Sequence, residues 1–194
     1  MLYKTRKLVF SEITSLFRTA INAYPDTVIG NRLRYLYWRK KLKNCGVGVG
    51  FRRNSVLGIP ERIEIGDRSV IGEYCMISAA ASHGVYIGCD CMISRNVNIH
   101  SGNHRISDLE MPMNAQGYDC REVLYVGQKY SVVIEDDVWI GSSCVLISGT
   151  HIGPHSVICA GTVVSGTIAP YSIVAGNPGR IIGNRQKRFG IQKD

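Results

Sequence analysis

Large rings are scarce in this 194-residue chain, with four Phe and two Trp against 21 Gly. That balance suits an interior too narrow for anything but small or branched side chains. No run of 18 or more apolar residues occurs, so no segment reads as a membrane-spanning helix. The first residues lack the apolar stretch and cleavage site of a secretory signal, and a cytoplasmic location is expected. Cysteines number seven, an odd count without a CxxC pair, which speaks against a disulfide framework and a zinc site and suits a reducing compartment. Acidic residues are few, 15 against 23 Lys and Arg, and the shortage is local. Residues 1–43 carry ten Lys or Arg against Glu12 and Asp26, which accounts for the whole net charge of +8.

The same basic segment has apolar residues at helical spacing: Leu8, Val9, Ile13, Leu16, Phe17, Ala20 and Ile21, then Leu33, Leu36, Tyr37 and Trp38 after a turn near Pro25. A basic amphipathic segment of this kind either caps the rest of the chain with solvated charges or, in addition, rests on an anionic membrane surface. Nucleic acid is not expected as a partner, since the remaining charge is balanced and no recognition module appears.

What is present beyond residue 44 is a repeat of six. One register reads Ile65, Ile71, Ile77, a second Ile87, Ile93, Ile99, and a third Ile134, Ile140, Leu146, Ile152, Ile158, Val164. Glycine follows at Gly66, Gly72, Gly88, Gly141 and Gly153, with Gly50 in a looser frame, and small residues such as Ser69, Cys75, Cys91, Cys144, Ser156 and Thr162 fall four places on. Neither a helix nor a simple strand needs a period of six. It is the signature of an all-β, left-handed parallel β-helix, in which each hexapeptide forms one side of a triangular coil and the aliphatic side chains stack inward. Turns there are expected to favour Gly, Asn and Asp. Three segments follow: 1–44, a helical cap; 45–182, the β-helix, interrupted by a long protruding loop at 105–131; and 183–194, a tail.

The C-terminal half carries strings of greater specificity: Glu135-Asp-Asp-Val-Trp-Ile-Gly141, Ala160-Gly-Thr-Val-Val164 and Ala175-Gly-Asn-Pro-Gly-Arg180. In that order they resemble the hexapeptide-repeat O-acetyltransferases, which include the galactoside and maltose acetyltransferases and enzymes that acetylate bacterial surface polysaccharides. The resemblance covers roughly residues 45–185. It implies transfer of an acetyl group from acetyl-CoA to a sugar hydroxyl, a homotrimer with sites between prisms, and no metal.

Residue by residue, the resemblance makes His104, in Ser101-Gly-Asn-His104, the general base. A hydroxyl is a poor nucleophile near neutral pH, so a group titrating near 6.5 must take its proton as it attacks the thioester. Asp108 is the nearest carboxylate to orient the imidazole, with Asp119 further along. Acceptor contacts are assigned to Asn103, to Ser78 where the galactoside enzymes have asparagine, to Trp139, and to Tyr118 of the loop, whose aromatic residues (Tyr118, Tyr125, Tyr130) are expected to line the pocket over a neighbouring subunit. Coenzyme A is expected along Trp139, Gly141, Ser142, Ala160 and Gly161, with Ser165 where the family has lysine nearby, and with Arg180 and Arg185 toward the phosphates.

Three other readings were weighed. An amine acceptor would make the chain an N-acetyltransferase for an amino sugar or small molecule. A zinc enzyme like the γ-class carbonic anhydrases would use His83, His100 and His104, but His100 and His104 are separated by three residues rather than that family's four. A non-catalytic trimeric scaffold would keep the fold without turnover.

Overall fold

The computed structural model describes residues 2–190, with side chains from Glu12 onward, so the expectations resting on Lys4, Arg6, Lys7, Leu8 and Val9 as side chains and on 191–194 lie outside the described residues. From Asn44 the chain winds as a parallel β-helix. Each coil gives one short strand to each of three faces, except the last, which gives none to the third. The first face contains Asn44–Cys45, Ile63–Ile65, Val85–Ile87, Val132–Ile134, Thr150–Ile152 and Thr167–Ile168. The second contains Gly50–Phe51, Val70–Ile71, Met92–Ile93, Trp139–Ile140, Val157–Ile158 and Ser172–Ala175, edged by the antiparallel strand Arg180–Asn184. The third contains Val56–Gly58, Met76–Ser78, Asn98–His100, Val145–Ile147 and Val163–Val164.

The register explains the repeat. Ile65 pairs with Ile87, Ile71 with Ile93 and Ile77 with Ile99, so identical inward positions stack coil on coil, and all twelve repeat aliphatics are buried. Ser69, Cys75, Cys91, Val97, Cys144, Ser156 and Thr162 are buried beside them. Their side chains also satisfy the corners: Ser69 Oγ donates to Gly88 O at 2.6 Å, and Thr162 Oγ1 to Cys159 O at 2.7 Å.

One expectation about this prism needs correction. Its interior is not restricted to small or branched residues: the first coil is built on Cys45, Phe51 and Leu57, paired with Ile65, Ile71 and Ile77, and Phe51 is fully buried. The open end has room for a ring, and Trp38 closes over it with ring centroids 6.5 Å apart. The left-handed turn positions do favour Gly, Asn and Asp, which hold most of the described residues at positive φ, while Arg68, Tyr74, His155 and Tyr171 also occupy such positions with φ near +60°.

The cap is a hairpin of α1 (Leu2–Ala23) and α2 (Val28–Arg39). Thr27 starts α2 by accepting from Gly30 N at 3.1 Å. Arg34 ties it to the first coil. Fully buried, Arg34 donates to Phe51 O (2.7 Å), Tyr24 O (2.6 Å), Asn31 Oδ1 (2.8 Å) and the Asp26 carboxylate, and Asp26 also accepts from Arg53 N at 3.0 Å. The basic segment is therefore not a set of merely solvated charges. Arg34 is structural, and Lys43 is paired with Glu64 at 2.7 Å. At the other end, residues 183–190 complete the antiparallel strand Arg180–Asn184 and form α3 (Arg185–Phe189).

Candidate active site

The coils break between Asn98–His100 and Val132–Ile134, and the ends of the excursion are fastened by buried serines. Ser101 and Ser131 are fully buried at its entry and exit. Ser101 Oγ donates to Ser78 O at 2.7 Å and lies 2.6 Å from Ser82 Oγ, while Ser131 Oγ accepts from His83 N at 3.1 Å. Gly102 follows because nothing larger fits: a Cβ there would stand 2.4 Å from Ala80 O. The chain thus leaves the prism pressed against the preceding coil, at the corner between the third and first faces.

Two hairpins fill the excursion. In the first, Asn103–His104 pairs antiparallel with Tyr118–Asp119. This sets the His104 ring against that of Tyr118, centroids 4.9 Å apart and tilted by 34°, both rings open to solvent. Gln116 braces the intervening turn through Asp108 O (2.7 Å) and Met111 O (2.8 Å). Asp108 Oδ1 accepts from Glu110 N and Met111 N at 3.0 and 3.2 Å, and it makes no hydrogen bond to His104.

The second hairpin, Val123–Tyr125 with Gln128–Tyr130, turns through Val126 and Gly127, both at positive φ. It folds back on the first face of its own prism. Tyr125 and Tyr130 pack on Tyr86 at 5.0 and 5.5 Å, and the buried Tyr130 hydroxyl donates to Glu64 Oε1 at 2.7 Å. Burial pushes the Tyr86 hydroxyl up to about 12. These two tyrosines therefore pack against their own prism rather than beside His104. Of the three loop aromatics, Tyr118 is the ring left beside His104.

The remaining site residues fall into separate groups. Ser78 lies directly below His100 in register, at the third-to-first corner, and Asn103 precedes His104 there. Ser165 is exposed at the same corner two coils further on. Gly141, Ser142, Ala160 and Gly161 gather at the second-to-third corner, where Gly161 N donates to Ser142 O at 2.9 Å and a Cβ on Gly141 would meet Ala160 N at 2.5 Å. Arg180 is exposed near that corner, its strand pairing with Ala175. Arg185 sits at the opposite edge of the second face, donating to His155 O at 2.7 Å, so the two arginines are not brought together.

Trp139 stands on the second face between these groups, 48% exposed, its indole N–H donating to Ser94 Oγ at 3.1 Å. It borders a groove of about 670 Å³ that also takes in Val157, Ile173, the stacked His155 and Tyr171, Asp137, Arg185 and α3. Of these, His155, Tyr171 and Asp137 were not anticipated. Asp137 adjoins Trp139 in the DDVW string, which was the available signal.

Comparison with known proteins agrees with this geometry. The family described as "Bacterial transferase hexapeptide (six repeats)" matches residues 131–166. The "Probable macrolide acetyltransferase" of Lysinibacillus sphaericus is 31% identical over 134 residues, 66% of this chain and 65% of that protein, so the match spans slightly less than two thirds of that relative. The Escherichia coli protein named "Putative lipopolysaccharide biosynthesis O-acetyl transferase WbbJ" is 30% identical over 151 residues, 73% of this chain and 74% of that one. The crystal structure of a hexapeptide-repeat-containing acetyltransferase from Vibrio cholerae, complexed with acetyl coenzyme A, superposes with a TM-score of 0.70 at 26% identity, covering 89% and 88% of the two chains.

Proposed function

Because the chain belongs to the hexapeptide-repeat acetyltransferases, we propose that it transfers the acetyl group of acetyl-CoA to a sugar hydroxyl in bacterial surface-polysaccharide assembly (capsule, O-antigen or exopolysaccharide). One observation carries the reading. At the long interruption of the coils, an imidazole is held by a strand pair beside an exposed aromatic ring, open to a substrate.

In this reading His104 takes the proton of the acceptor hydroxyl as its oxygen bonds to the thioester carbonyl carbon. The C–S bond then breaks. The imidazolium returns the proton to the departing thiolate, leaving an acetyl ester and free coenzyme A. Tyr118 offers its ring to the face of the sugar, with Asn103 and Ser78 at the polar edge. Asp108 holds its own turn through Oδ1, so orienting His104 would fall to its other carboxylate oxygen. Gly141, Ser142, Ala160 and Gly161 give the pantetheine arm a smooth corner, Trp139 flanks it, and Arg180 meets a phosphate. Ser165 and Arg185 lie away from that corner in the single chain.

The base and the cofactor corner lie at opposite edges of the third face. A homotrimer, in which one prism sets its cofactor corner against the His104 corner of the next, would join them. In the same reading the enzyme works in the cytoplasm, and a peripheral position at the inner face of the membrane would bring it to lipid-linked sugars. The test is thiol release from acetyl-CoA with monosaccharides, nucleotide sugars and lipid-linked saccharides as acceptors. An alkali-labile acetyl ester is expected. An alkali-stable product would point to an amine acceptor, and acetyl-CoA that neither binds nor is consumed would leave a scaffold.

A further inference from the structure

α2 presents a buried face and a separate apolar stripe. Gly30, Arg34 and Trp38 are buried and make the cap. Ile29, Leu33 and Leu36, at i, i+4 and i+7, form the stripe, which is 62%, 39% and 45% exposed. α1 adds Ile13, Leu16 and Phe17 at 58%, 69% and 61%. The two helices meet over a shallow cleft of about 340 Å³ lined by Phe17, Ile21, Leu33, Leu36 and the stems of Lys40 and Lys41. Capping the prism does not require this outer face, and apolar residues grouped this way on a surface mark an interaction site.

The charge around it selects the partner. Arg18, Arg32, Arg39, Lys40 and Lys41 are exposed about the stripe, while Asp26 is consumed by Arg34. Glu12 is the one other acid in residues 1–43. A second copy docking through the same face would set these cations against each other. No described helix is long and apolar enough to cross a membrane, so any membrane contact of this hairpin lies in the plane of the surface.

We propose that the outer face of the α1–α2 hairpin docks on an anionic bilayer, its apolar stripe entering the headgroup boundary and its cations resting on lipid phosphates. This deepens the membrane placement given above and is independent of the chemistry at His104. The experiment is co-sedimentation of the full chain with phosphatidylcholine vesicles, with and without phosphatidylglycerol. Binding to the anionic vesicles is expected, weakened but not abolished by about 0.5 M salt, because screening removes the charge contribution and leaves the apolar one. The variant L33S/L36S should lose about tenfold in vesicle binding, with unchanged thermal unfolding and unchanged turnover of a soluble acceptor. Parent protein that ignores anionic vesicles at low salt overturns the proposal. So does complete release by salt, or a variant that sediments like the parent. A variant that changes oligomeric mass instead would assign the face to contact between copies, which also overturns it.

Discussion

His104 and Tyr118 face each other across a two-residue antiparallel ladder, ring against ring at 4.9 Å, on a hairpin that leaves the prism where the coil repeat stops. If the imidazole is the base and the phenol ring the platform, their losses should differ in kind. His104→Ala is expected to cost about 10² to 10⁴ in kcat with acetyl-CoA binding intact, and retention of activity within about threefold of the parent would remove the assignment. Tyr118→Ala should raise the acceptor KM more than it reduces kcat, because stacking on a sugar is made in ground and transition states alike. Both are read from thiol release at varied acceptor.

Arg34 donates to five acceptors from one buried guanidinium, and removing it deprives Phe51 O, Tyr24 O and Asn31 Oδ1 of that donor at the seam between cap and first coil. Arg34→Leu should destabilise the protein by about 3 kcal/mol or more, seen as an earlier urea midpoint. A midpoint within error of the parent would show that the seam does not depend on this network.

The coils were legible because their interior is a one-dimensional stack: Ile65, Ile71 and Ile77 must repeat so that Ile87, Ile93 and Ile99 can lie on them. The first coil was not, since Cys45, Phe51 and Leu57 have a coil on one side only, and Phe51 meets the Trp38 ring of the cap on the other, so chemistry there is freer. His104 could be found from its string, but the fate of Tyr125 and Tyr130 could not. Whether a loop ring faces substrate or its own prism depends on a turn such as Val126-Gly127, where a β-branched residue takes positive φ against local preference. Arg34 was counted as surface charge because nothing in its neighbours announces burial.

The buried thiols give a pH dependence with a definite sign. Burial raises Cys75 and Cys91 from 9.0 to about 11, and Cys45 likewise. Thiols raised in the fold favour the folded state fully below pH 9, and that contribution is lost as pH climbs toward 11, where the unfolded chain releases protons that the folded one holds. Urea midpoints should fall across that window, and C75A/C91A should shallow the fall. A flat profile between those values would contradict the assignment. Native protein should also react with a thiol reagent at fewer than its seven cysteines near neutral pH.

Arg180 ends the AGNPGR string exposed beside the proposed cofactor corner, its guanidinium engaged with Gly179 O at 3.0 Å. If it meets a phosphate of coenzyme A, Arg180→Ala should raise the acetyl-CoA KM with little change in kcat, since the contact is the same before and during reaction. A fall in kcat at unchanged KM would place Arg180 elsewhere.

Gly141 is the sharpest test of that corner, because its lack of a side chain serves packing and, in the proposed site, the cofactor as well. A Cβ there would stand 2.5 Å from Ala160 N and 2.9 Å from Ala160 Cα, so two adjacent coils would have to part. Gly50, on the same face nearer the cap, offers a comparison: its Cβ would meet Val70 side-chain atoms no closer than 3.4 Å. Gly141→Ala should therefore cost about 1–3 kcal/mol, and Gly50→Ala much less. The coils that must part at Gly141 are those on which the pantetheine arm is proposed to lie, so acetyl-CoA affinity should fall in Gly141→Ala and hold in Gly50→Ala. Loss of stability with unchanged acetyl-CoA affinity would leave Gly141 a packing residue and move the cofactor to another edge of the prism.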